Sequence, residues 1–200
     1  MRTRLPGNSI WITGCVAEAL AILAVSTACS STPPPPSPPM PIPAAPFPAT
    51  VSAALQQQLT DAVTRYQTVY SSVYNNPRQD LSVVDSVAAG QEATSLKYQA
   101  QQVADQHLIG SGTIKVLRVT VVDVTPNPPI TGNPAMATVK ACDDVSGTVG
   151  TTADGRSVVD PKRLPHTQTL FTLMNPTGSD ASAWRVTKGE SGTTIPCDPL

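Results

Sequence analysis

Thr113-Ile114-Lys115-Val116-Leu117-Arg118-Val119-Thr120-Val121-Val122-Asp123-Val124 is where the pattern of this 200-residue chain changes. β-Branched side chains follow one another here almost without a break. They are stiff at χ1 and suit a pleated surface, so the stretch predicts a long strand with substantial burial. Everything before it, back to Ser52, reads as helix. Leu55, Leu59, Val63, Tyr66, Val69, Tyr70 and Val73 recur at three and four, predicting a helix over Ala53–Tyr74 with Thr50 or Ser52 at its start and Asn75-Asn76-Pro77 at its end. Asp80 opens a short second helix with Leu81, Val84 and Val87 on its buried side. After the break at Gly90, Gln91–His107 forms a third helix, with Leu96, Ala100 and Val103 on one face.

After Val124 the chain reads as strands and turns. A proline-rich loop, 126–134, leads into a second strand region, Ala135–Val149, with Ala137, Val139 and Ala141 on one face and Thr138, Lys140 and Cys142 on the other. Ala153-Asp154-Gly155-Arg156 is a turn, and Ser157–Val159 returns briefly. His166–Met174 and Ala183–Lys188 complete a set of four strands. Helices first and turn-linked strands afterwards predict an α+β domain over residues 51–200, its helices packed on a curved antiparallel sheet of about four strands.

The first fifty residues read differently. Arg2 and Arg4, an apolar run Ile10–Val25 and the small residues Ser26-Thr27-Ala28 follow the plan of an export signal, residues 1–28. The run contains Glu18 and is short of the ~20 residues that span a bilayer. Cys29 comes next, where a bacterial lipoprotein carries its diacylated cysteine. Thr27 and Ala28 fit such a signal, whereas Ser26 replaces the preferred branched aliphatic, so cleavage by ordinary signal peptidase, with secretion, stays open. From Pro33 to Pro48, ten of 16 residues are proline. With φ fixed and no N–H, this stretch is an extended polyproline spacer, and residues 29–50 are read as anchor and stalk.

The order of elements, with Ala137-Thr138-Val139-Lys140-Ala141-Cys142-Asp143-Asp144, Trp184-Arg185-Val186 and the late Cys197, resembles the cone-shaped fold of the nuclear transport factor 2-like superfamily. Within it the chain is similar to small exported actinobacterial lipoprotein-type proteins with a stalk and two domain cysteines. The resemblance covers about residues 51–200. It implies helices and a curved sheet around a pocket; Tyr66, Tyr70, Phe171, Met174 and Trp184 suit its lining, and suit a simple filled core better. It says little about activity, since that fold carries enzymes, binders and structural members alike.

Little in the domain suggests catalysis. Cys142 and Cys197 are an even pair in an exported domain, which makes a disulfide the default. Neither has a histidine or second cysteine at metal-ligand spacing, and no metal or cofactor is expected. His107 lies near a helix end and His166 just before a strand. Asp143-Asp144, the one local acid pair, reads as a solvated strand end. The formal charge of −1, about −2 once Arg2, Arg4 and Glu18 are removed, and the scattered Lys and Arg exclude a nucleic-acid partner. The expectation is therefore a non-catalytic binding or interaction domain, anchored to the outer face of the cytoplasmic membrane through Cys29, facing an envelope protein or a small apolar ligand. Two alternatives stay open. One is a small isomerase- or dehydratase-like enzyme using His107 or Asp144, and the other is a phage or host exclusion-type lipoprotein.

Overall fold

A computed structural model describes residues 51–125, 133–178, 180–192 and 196–197. The signal segment, Cys29, the proline stalk and most of the 126–134 loop lie outside the described residues. Helix α1, Ala53–Asn75, starts where Ser52 Oγ accepts from the Leu55 N–H at 3.2 Å. A 3-10 helix, Leu81–Ser86, is capped by Asp80, whose carboxylate accepts from the Ser82 N–H. Helix α2, Gly90–Asp105, follows, with Gly90 at a positive φ of 59° at its first turn. Leu59, Val63 and Val73 of α1 and Leu96 and Ala100 of α2 are fully buried, the stripe expected from their spacing.

Six strands follow: β1 (Ile109–Ser111), β2 (Lys115–Thr125), β3 (Ala135–Asp144), β4 (Val149–Thr151), β5 (His166–Asn175) and β6 (Arg185–Gly192). The main sheet is antiparallel in the order β2-β3-β5-β6, and β1 and β4 pair as a separate two-stranded ribbon. The protein is thus α+β, with helices over a four-stranded antiparallel sheet. The inner face of β3 carries Ala135, Ala137, Val139 and Ala141, and that of β5 carries Phe171 and Leu173; all are buried under the helices.

Three features depart from the sequence reading. β2 is an edge strand in which only Val119 is buried. Register shifts at Leu117 and Val122 insert one extra residue each, so the inward positions are Val116, Val119, Val121 and Val124. A spacing of three, two and three cannot be told from a continuous apolar run, and the extra residues, Leu117 and Val122, are left exposed. Another shift, between Thr172 and Leu173, places an extra residue in β6 at Thr187. Such bulges bend and twist a sheet, which supplies its curvature. The predicted second strand region ends at Asp144, because the Asp144 carboxylate accepts from the Ser146 N–H and hydroxyl and turns the chain before β4. Gly110-Ser111, read as the end of the helical half, is strand β1. Its tight approach to α1 needs glycine, since a Cβ on Gly110 would come within 2.5 Å of the Tyr74 carbonyl.

Cys142 and Cys197 form a disulfide with a Cα–Cα distance of 5.7 Å. Cys142 faces away from the helices, and it is nonetheless buried. Among the described residues, no helix is long and apolar enough to cross a membrane.

Candidate functional site

One face of the C-terminal half of α1 is aromatic and polar rather than aliphatic. Tyr66, Gln67, Tyr70, Ser71 and Tyr74 recur at one and four residues and so line a single side. Opposite them, Thr167, Thr169 and Phe171 alternate along the inner face of β5. Between these faces lies a cavity of about 490 Å³, lined also by α2 and by the β1–β4 ribbon. A volume of this size falls in the range of small-molecule pockets.

The aromatic wall is continuous. Tyr70 stacks on Tyr74 at 4.6 Å, and Tyr66 meets Phe171 edge-on at 5.4 Å. The phenols are held by α2: Tyr66 donates to Glu92 Oε1 and Tyr74 to Gln99 Oε1, each at 2.5 Å. Glu92 Oε2 accepts from the Gly189 N–H at 3.0 Å, so this carboxylate joins α1, α2 and β6. Burial, reinforced by Glu92, pushes the Tyr66 phenol above its ordinary range, and burial does the same for Tyr70 and Tyr74. All three are neutral donors at physiological pH.

Asp143 ends the inner face of β3, paired with Thr167 of β5. It is 1% exposed. The Gln67 amide donates to its Oδ2 at 2.9 Å, while Oδ1 has no hydrogen-bond partner. Burial raises its carboxyl to about 6, although Thr169 and Gln67 pull the other way. Arg163 lines the same cavity from the loop before β5, but its guanidinium is taken up by the Val145 and Thr148 carbonyls and the Thr148 hydroxyl, at 2.8–2.9 Å.

The structure sorts the expected site residues. Tyr66, Tyr70 and Phe171 line the cavity. Met174 and Trp184 do not. Met174 has the opposite parity to Phe171 on β5 and lies on the outer face, and Trp184 is buried near the start of α1, where its indole N–H reaches Gln58 at 3.4 Å. His107 is exposed at the end of α2, and Asp144 holds its turn, where the Ser146 hydroxyl keeps its carboxyl below the usual range. Neither is in the cavity. The reading of Asp143 as a solvated strand end is overturned, because the alternation that turns Ala137, Val139 and Ala141 inward turns Asp143 inward too. Extending that face by one step would have found it. Glu92, four residues before Leu96, carries a similar signal, while Arg163 sits in a loop with no periodicity to reveal it.

Among the described residues, no group of three or more His, Cys, Asp or Glu is placed to hold a metal ion. No family model matches the chain, and no curated protein sequence matches it. Solved structures similar to it include the intermembrane space region of the chloroplast protein ARC6, at 15% identity over 68% of this chain and 95% of that one, with a TM-score of 0.47. A de novo designed β-sheet protein matches at 16% identity over 68% and 92%, with a TM-score of 0.30. At these scores the likeness carries no argument about function.

Proposed function

We propose that this chain is an exported, envelope-tethered protein whose domain binds a small molecule in the cavity between α1 and β5. The observation that carries this reading is the cavity itself, with a ring-lined wall and a few convergent polar groups, the usual composition of a ligand site. The disulfide and the signal-like first 28 residues support export, and the proline run supports display on a spacer. In this reading Cys29 carries the diacylglycerol, and two acyl chains suffice for stable anchoring. Helices over a bulged antiparallel sheet around a pocket also support placing the domain with the nuclear transport factor 2-like superfamily.

The binding reading is tested by ligand-observed NMR of a panel of neutral, anionic and cationic aromatic fragments against the full chain. At least one fragment should bind and be lost in Ser95→Trp, which fills the cavity from α2; a panel without a binder removes the small-molecule reading. Intact mass of the protein from a bacterial membrane fraction tests the anchor. Loss of residues 1–28 and addition of diacylglycerol at Cys29 are expected, and an unmodified mature chain argues for free secretion.

A second reading, a small enzyme of the same fold, is favoured by Asp143 alone. A buried carboxyl with its pKa near neutrality is suited to general acid–base work. Its test is exchange of the acidic C–H protons of a cyclic enone into deuterated water, accelerated by the full chain and abolished by Asp143→Asn.

A further inference from the structure

We propose that the ligand of this cavity is an organic ammonium compound, with a protonated amine directed at Asp143 and an apolar, ring-sized body against the tyrosines. The proposal rests on the reading of the cavity as a small-molecule site, and it names the class of molecule.

The first observation is the unfilled acceptor. Asp143 Oδ1 is buried with no donor in hydrogen-bond geometry, while Oδ2 is held by Gln67; the neighbouring Thr169 hydroxyl is near enough to favour the charged carboxylate as well. No cation pairs with this carboxylate among the described residues. A buried acceptor without a donor costs free energy, and a buried charge without a counter-charge costs more. A ligand that brings both an N–H and a positive charge removes both costs; a hydroxyl removes only the first.

The second observation is how the other charges on the cavity wall are used. α2 contributes Glu92, whose two oxygens are occupied by Tyr66 and Gly189. The loop before β5 contributes Arg163, whose donors are spent on backbone and Thr148 oxygens. α1 contributes the three neutral tyrosines, the β5 lining is threonine and phenylalanine, and the β6 lining is Gly189 and Ser191. Among the described residues, no lysine or histidine lines the cavity. The formal charge of the wall is negative, and the buried polar atom on it without a partner is an acceptor, Asp143 Oδ1.

The third observation is aromatic. Tyr66, Tyr70, Tyr74 and Phe171 form one connected cluster in the same cavity. Their ring faces attract a desolvated cation within about 6 Å. Acid and rings together favour an ammonium over a carboxylate, which would face Asp143 and Glu92 with only an already engaged Arg163 to receive it.

The test uses three matched probes on the full chain by titration calorimetry: phenethylamine, 2-phenylethanol and 3-phenylpropionate. At pH 7.5 the amine should bind at least tenfold more tightly than the alcohol, and the carboxylate most weakly. Asp143→Asn should bring the amine to within about twofold of the alcohol. A second arm needs no variant. The amine stays protonated, with an ordinary pKa of about 10, whereas Asp143 with its carboxyl at about 6 is mostly neutral at pH 5. Amine affinity should then fall about tenfold between pH 7.5 and 5 while the alcohol's holds. An alcohol that binds as tightly as the amine, a carboxylate that binds best, or amine binding independent of both Asp143 and pH would overturn the proposal while leaving a small-molecule cavity in place. If the fragment panel finds no binder either, both readings fall together.

Discussion

Asp143 is held against its own ionisation. With its carboxyl raised to about 6 in the folded chain, against about 3.9 when unfolded, the native state binds the extra proton between those values. Stability from this group is fully present below about pH 4 and is lost as pH rises through 6. Two pKa units correspond to at most about 3 kcal/mol. Asp143→Asn keeps the shape and can still pair with Gln67 through its flipped amide. It should therefore be more stable than the parent at pH 7.5, by about 1–3 kcal/mol, and should match it at pH 4. Urea unfolding at the two pH values checks this, and an equal pH dependence in both proteins would refute it. A residue that lowers stability where it stands is what a binding site retains.

His107 makes the same kind of point about backbone. It has φ 54°, its N–H bonds the Ala104 carbonyl, and the Leu108 N–H bonds the Val103 carbonyl. That is the closing turn of a helix in which the left-handed position usually holds glycine. A side chain there costs about 1–2 kcal/mol. His107→Gly should raise stability by about 1 kcal/mol, read as a higher denaturant midpoint with an unchanged slope. Sequence reading placed His107 near a helix end but gave no hint of its dihedral angle, which the helix-closing hydrogen bonds impose.

At the scale of elements, α1, α2, β3 and β5 were legible because each keeps a clean period: 3.6 for the helices, 2 for the strands. β2 was legible as a strand and misread in its burial. Its two bulges break the alternation, and their extra residues, Leu117 and Val122, are exposed. Leu117→Lys and Val122→Lys should each change stability by no more than about 0.5 kcal/mol. Leu173→Ala, at a fully buried site on β5, should cost about 2–5 kcal/mol. Chemical denaturation of the three variants decides between an edge strand with two bulges and the substantially buried strand that composition alone suggests. The β1–β4 ribbon escaped sequence reading because three-residue strands have too few positions to show a period. Gly110 pairs with Gly150 in this ribbon, the first packed against the end of α1 and the second against Val158.

At the scale of the molecule, the disulfide ties the tail after β6 to the end of β3, next to Asp143, across a separation of 55 residues. A loop of that length restricts the unfolded chain by about 4 kcal/mol in the loop-entropy model. Paired Cys142→Ser and Cys197→Ser changes should lower unfolding stability by about 2–4 kcal/mol, measured by thermal and urea unfolding. Because Cys142 and Asp143 are adjacent and face opposite sides of β3, the same loss should also weaken binding in the cavity.

The sequence by itself determined the class of the domain, the order of its long elements and the pairing of its two domain cysteines. Period, turn chemistry and parity are local properties, and an even cysteine count needs no coordinates. Only the tertiary structure decided where the cavity lies and which acid faces it. Asp143, Glu92, Tyr66 and Phe171 come from four elements, and their meeting depends on sheet register and helix placement, long-range quantities that no single stretch encodes. Asp143 and Asp144 make the difference concrete. Adjacent and chemically alike in sequence, they are parted by the pleat of β3, one buried against Gln67 in the cavity and the other capping a turn at the surface.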